Sequence, residues 1–352
     1  MLVFALCLLQ AAQAPKPQAA GEVERARVER LLEQGNAAEA ANAYSAALQS
    51  GLRHSSVFKG RGRAHFRLEH YNEAIADFDE ALRLRLNDAE VLRDRGIAKA
   101  KIGRYQDAIE DLDRAILLKS EDWEAYLERA SALGNAGLFT RGLIDLDKVL
   151  RAQPDNVRAL SLRGAAYFMT GEHRKAIEDY SAALQKQPGD VRLLLARGAA
   201  YAQVGEHRKA FEDRDAAVKA DLTLAEAYIA RGGSYHQLGE HPKGLEDRGT
   251  AIRLNPKLAS AWAARGNAYY LLERFNEAWS DLLEAVWLDP ADTASRDLIG
   301  KARERMDVAS AAPAPAPPPP ASPPVSAPPQ EQVAAKPVQA QLSPKEVEAH
   351  HR

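Results

Sequence analysis

Between Gly21 and Asp292 one pattern of small, apolar and charged residues is written eight times, every 34 residues, without an insertion. A unit of that length cannot bury its own apolar face, so the units must stack on one another into a solenoid. The period therefore overrides length as a guide to domain count. The 352 residues make one stack rather than two or three globular domains.

Counted from the start of each copy, the eighth position holds Gly62, Gly96, Gly164, Gly198, Gly232 and Gly266, with Val28 and Ala130 as departures. The twentieth holds Ala40, Ala74, Ala108, Ala176, Ala210 and Ala278, with Gly142 and Gly244 elsewhere, and the twenty-seventh is alanine in every copy but the fourth, which has Val149. Small residues at helical spacing let two backbones approach, while larger apolar residues three and four away fill the space around them. Between the two halves fall Gly35, Gly103, Gly137, Gly171, Gly205 and Gly239, suited to the left-handed residue that ends a helix. Pro154, Pro188, Pro256 and Pro290 follow the second half. Each copy thus reads as helix, turn, helix.

This grammar resembles the tetratricopeptide repeat, whose marks are a large residue at position four, Gly at eight, Tyr at eleven, Ala at twenty, an aromatic at twenty-four, Ala at twenty-seven and Pro at thirty-two. The copy from Val157 to Asp190 supplies Leu160, Gly164, Tyr167, Ala176, Tyr180, Ala183 and Pro188; the copy from Ala259 supplies Trp262, Gly266, Tyr269, Ala278, Ala285 and Pro290. The resemblance covers about three quarters of the chain. It implies an all-α fold, a right-handed superhelical solenoid of eight 34-residue helix-turn-helix repeats with a C-terminal capping helix, whose first helices line a concave groove. The first copy lacks the glycine at eight, and the fourth carries Ala130, Leu133, Gly142 and Val149, so these two match least. Arg214 and Arg248 stand where an aromatic is preferred, which thins the core expected there.

The flanks differ in kind. Residues 1–14 form an apolar run ending Ala12-Gln13-Ala14, of signal-peptide length and too short to span a bilayer. They imply export to a periplasm or outside the cell. No Lys or Arg precedes the run and Pro15 follows the cut site, so a cytoplasmic N-terminus stays open beside that reading. Residues 15–20 are a linker. Residues 293–307 have the spacing and charge of a polar capping helix; residues 308–342 are Ala- and Pro-rich, a spacer too poor in large apolar residues to order itself. Residues 343–352 open with Ser343-Pro344-Lys345-Glu346, a helix start.

Chemistry is scarce. A net charge of −2 provides no field for nucleic acid or an anionic membrane, and the single cysteine, Cys7, lies outside the repeats. No phosphate-binding loop, His-Glu-x-x-His or Gly-x-Ser-x-Gly sequence occurs, so the expectation is a protein that is not an enzyme and needs no cofactor. His173, His207 and His241 recur one repeat apart, a separation of at least ~8–10 Å per layer that prevents convergence on one metal. They read as stand-ins for a turn aromatic. Arg at position seven in every copy and Asp at twenty-three in seven of them read as a structural pair between helices.

The groove holds the remaining information. In the family the concave surface takes positions two, five, nine, twelve and thirteen of each first helix. Here those positions give Lys59, Arg63, Phe66, Arg67, Arg93 and Lys101, with Arg25 before them and Glu29, Glu33 and Glu90 interspersed. Later copies give Leu127, Phe168, Met169, Leu195, Ile229, His236, Tyr270 and Leu271 among alanines and glycines. The groove is therefore expected to grade from cationic to apolar and roomy, suiting an amphipathic or extended peptide with an acidic end. The alternative is that short side chains only permit tight curvature. A clamp for chaperone tails, as some family members have, lacks its asparagines here: Lys59 precedes Arg63, and Arg93 precedes Ile97. The reading is a noncatalytic scaffold or adaptor for a protein or peptide partner; the alternative is a cell-envelope assembly factor or an accessory subunit of a separate enzyme. No nucleic acid, integral membrane span or homo-oligomer is indicated.

Overall fold

The computed structural model describes residue 30 and residues 34–311, and all sixteen elements among them are α-helices. Helix α1 (Ala37–Gln49) is the second helix of the first copy. Seven complete pairs follow: α2 (Ser55–Arg67) with α3 (Tyr71–Leu84), α4 (Ala89–Lys101) with α5 (Tyr105–Leu118), α6 (Trp123–Asn135) with α7 (Phe139–Ala152), and α8 (Val157–Met169) with α9 (His173–Lys186). Then come α10 (Val191–Gln203) with α11 (His207–Ala220), α12 (Ala225–Gln237) with α13 (His241–Leu254), and α14 (Ala259–Leu271) with α15 (Phe275–Leu288). The expected cap is helical from Thr293 to Ala311, as α16. Apart from residue 30, the expected first helix of the first copy, with Arg25 and Glu29, lies outside the described residues, as do the apolar run expected to direct export, the expected linker and the chain beyond residue 311. No described helix is long and apolar enough to cross a membrane.

The small-residue columns make the pairs. A Cβ on Gly164 would stand 2.8 Å from the ring of Tyr180, and one on Gly96 would stand 2.9 Å from Leu112. Ala74, Ala108, Ala176 and Ala278 are fully buried opposite them. The fourth copy is reversed: a Cβ on Gly142 would lie 3.3 Å from the carbonyl of Ala130, so glycine and alanine have exchanged helices. Left-handed glycines end the first helices as expected, and Glu69 and Glu273 adopt the same conformation, at φ 61° and 58°, where the glycine is missing.

Position seven binds position twenty-three within each of the seven described pairs, from Arg61 with Asp77 to Arg265 with Asp281. Every one of these aspartates is buried. In six of the seven the same arginine also reaches position twenty-five of the preceding repeat: Asp79 from Arg95, Asp113 from Arg129, Asp147 from Arg163, Asp215 from Arg231, Ser45 from Arg61 and Ser181 from Arg197, while Arg265 has Gly249 there. One guanidinium thus ties its own hairpin and the previous one.

From α1 to α15 each helix packs on its sequence neighbours. The first helices of successive repeats also touch one another, from α2 with α4 to α12 with α14, whereas second helices of successive repeats do not. Closer spacing of one layer than the other curves a stack toward the closer layer. The first helices therefore form its inner face.

Candidate protein-binding groove

Two clefts on that inner face show how it is built. The larger, of about 670 Å³, lies between α2 and α4 and brings together Lys59, Arg63, Phe66 and Arg67 with Phe78, Asp94 and Ile97. A second, of about 260 Å³, lies between α6 and α8. They share six positions. Nine, twelve and thirteen of one first helix (Arg63, Phe66, Arg67; Ser131, Gly134, Asn135) and six and nine of the next (Asp94, Ile97; Leu162, Ala165) form the walls, and position twenty-four (Phe78; Leu146) forms the floor. Each of these two clefts thus lies between successive first helices and is floored by a second-helix side chain.

The cationic end is neutralised. Lys59 donates to Glu90 at 2.6 Å; Arg63 donates to Asp94 at 2.6 Å and to Glu90 at 3.2 Å. The hydrogen bond and charge of Lys59, joined by Arg63, hold the Glu90 carboxyl at about 2. Arg93 lies away from this cleft and donates to Asp122 at 2.7 Å across the next seam. Lys59, Arg63 and Arg93 of the expected cationic stretch are instead ion-paired, fastening one first helix to the next.

Leu127 does not face the groove: it is 3% exposed and belongs to the main core. Position five sits at the seam where first helices meet: Lys59 and Arg93 reach across it, and Leu127 is sealed within it. Leu195 and Ile229, at the same position, are half-buried and pack against the core. Position thirteen is open instead: Met169 is 60% and Leu271 56% exposed.

Position twelve is half open and held from one side. Phe66 lies against Tyr71, Phe168 against His173, His236 against His241 and Tyr270 against Phe275, with ring centroids 4.5–5.5 Å apart. His173 and His241 therefore take the place of a turn aromatic, position seventeen bracing position twelve. Among the described residues no group of three His, Cys, Asp or Glu side chains is placed to share a metal ion.

Sequence reasoning missed the floor. Its signal was present, since Arg214 and Arg248 break the aromatic column at position twenty-four, but that column reads as core until successive first helices are seen to part above it. It also missed Asp94, at a position six not counted as groove.

The family model described as tetratricopeptide repeat matches residues 25–89, 59–125, 93–145 and 127–191, in step with the 34-residue period. Residues 25–191 are thus tetratricopeptide repeats, and the same columns run on in register to Asp292. Among solved structures it is similar to a tetratricopeptide repeat protein from Parabacteroides merdae, at 18% identity and a TM-score of 0.57 over 70% of this chain and 98% of that one. It is also similar to a chain of the Cut9–Hcn1 hetero-tetramer of the APC/C, at 13% identity and a TM-score of 0.57 over 78% of this chain and 54% of that one. At such identities the likeness establishes the fold alone. No curated protein matches the sequence.

Proposed function

We propose that this chain is a noncatalytic scaffold or adaptor that binds an extended or helical segment of another protein along the inner face of its first helices. The observation that carries it is the cleft built twice from the same six positions, between α2 and α4 and between α6 and α8. Clefts built in one register, two repeats apart, suit a partner that presents side chains at intervals. Exposed Met169 and Leu271 provide apolar contact beside it. Affinity capture with wild type, Met169→Glu and Leu271→Glu tests the reading. The substitutions are expected to lose partners that the wild type retains; an unchanged captured set, with all three proteins folded, sinks it.

A second reading adds location. The run ending Ala12-Gln13-Ala14 favours an exported chain, and the Pro-rich stretch that includes Pro317–Pro320 favours a spacer, as in an envelope assembly factor or an accessory subunit. N-terminal sequencing of the mature protein checks this: recovery from the cytosol with Met1 intact rules export out.

A further inference from the structure

The groove floor changes character toward its C-terminal end. Transferring the six cleft positions onto α12 and α14 puts Arg248 on the floor, with Gly233, His236, Gln237, Ala264 and Asn267 as walls. One repeat earlier the floor is Arg214, between walls of alanine, glycine and glutamine. No carboxylate stands at any of these positions, unlike the cleft holding Asp94.

Arg248 is 7% exposed, and neither its Nε nor its Nη1 has a hydrogen-bond partner among the described residues. Nε of Arg214 also lacks one, while its Nη1 donates to the Ser234 hydroxyl at 2.8 Å. The next repeat carries Ala268 at the position of Ser234, so the hydroxyl that serves Arg214 has no counterpart for Arg248. Space for the guanidinium comes from Gly244: a Cβ there would stand 3.0 Å from Nη1, and six of the eight copies have alanine at that position. The neighbouring carboxylates are engaged, Asp213 by Arg197 and Asp247 by Arg231.

The surroundings are basic. The Nδ1 atoms of His236 and His241 share a hydrogen bond of 2.9 Å. Burial, then the charges of His241 and Arg248, depress the pKa of His236, and burial depresses that of Arg248 itself. A guanidinium is a planar five-donor group with no acceptor function, and removing it from water without an acceptor is the unfavourable half of a buried ion pair.

We propose that Arg248, together with Arg214 one repeat before it, is a binding site for the carboxylate side chains of an acidic peptide lying across repeats six to eight. The proposal rests on the groove reading above and reverses its expected polarity: the uncompensated cations are at this end, not around Lys59 and Arg63. A carboxylate accepts parallel N–H bonds from one guanidinium, and the transferred walls at Ala199, Ala202 and Gly233 carry only short side chains.

The test uses the full chain, a fluorescein-labelled peptide alternating Glu and Ala, and its Gln counterpart, by fluorescence anisotropy at low salt. The Glu peptide is expected to bind at least about tenfold more tightly, and to lose that advantage in the Arg214→Leu/Arg248→Leu variant. Leucine is the chain's own residue at this position in Leu112, Leu146 and Leu282, and circular dichroism with the unfolding midpoint verifies folding. Equal affinity for the two peptides, or a Glu preference that survives the double substitution, overturns the proposal. Photocrosslinking groups at positions 169 and 271 report on the groove separately. Crosslinking of both peptides without a Glu preference removes the acidic-partner assignment and keeps the groove; neither binding nor crosslinking removes both.

Discussion

Arg163 donates from Nε and Nη2 to the two carboxylate oxygens of Asp179, at 2.8 and 2.7 Å, joining the two helices of the fifth repeat. Asp179 is 5% exposed, and the hydrogen bonds to it raise the pKa of Arg163 against the burial that lowers it. Removing either partner leaves a charge in a poorly hydrated site. Asp179→Ala and Arg163→Ala should each cost about 2–4 kcal/mol, and the double variant about 1.5–3 kcal/mol less than their sum. Denaturant unfolding of the full cycle measures this; additive losses refute direct coupling.

The third nitrogen of each arginine gives a second, independent expectation. Arg163 reaches Asp147 of the preceding repeat at 2.8 Å, but Arg197 finds only Ser181 there, at 3.1 Å. Ser181→Asp would complete the charge pair at that junction. It should raise stability by about 0.5–1 kcal/mol at low salt and by less at high salt. No gain in the unfolding midpoint at low salt would mean that the contact between repeats contributes only position.

How much of this was legible in sequence follows the columns. The helix pairs, the turn glycines and the pairing of Arg163 with Asp179 are repeated at one register, so each copy reports on the others. The direction in which a groove side chain points is not repeated in that way. Leu127 and Met169 both come from first helices and both stand at positions expected to face the groove, yet Leu127 is sealed in the seam between repeats while Met169 is open. That is a property of the angle between repeats, which no single repeat encodes. Charge misleads for the same reason: Arg63 reads as a groove cation until Asp94, 31 residues on, is seen to meet it.

The Lys59–Glu90 bridge should respond to acid. Glu90 titrates at about 2 when folded, below its ordinary 4.5. A depressed carboxyl stabilises the fold above its unfolded pKa, and the contribution disappears as pH falls from about 4.5 to about 2. Glu90 is 47% exposed, so solvent screening limits its worth to less than about 1 kcal/mol. Glu90→Gln should be less stable than wild type near neutrality, and the difference should close through that window. A side-chain carboxyl resonance with its midpoint at the ordinary glutamate value would contradict the bridge.

Adjacent columns of one first-helix face separate packing from propensity. At position eight, Gly164→Ala would drive a methyl to within 2.8 Å of Tyr180, whose ring is buried and has no room to withdraw, so a loss of about 1–3 kcal/mol is expected. At position nine, a Cβ on Gly233 meets nothing within 4 Å. Gly233→Ala should therefore stabilise α12 by about 0.5–1 kcal/mol through helix propensity alone. Because Gly233 also forms the wall beside Arg248, the same methyl narrows the cleft. A variant that unfolds later than wild type yet binds the acidic peptide more weakly would assign position nine to the groove; unaltered binding would assign it to solvent.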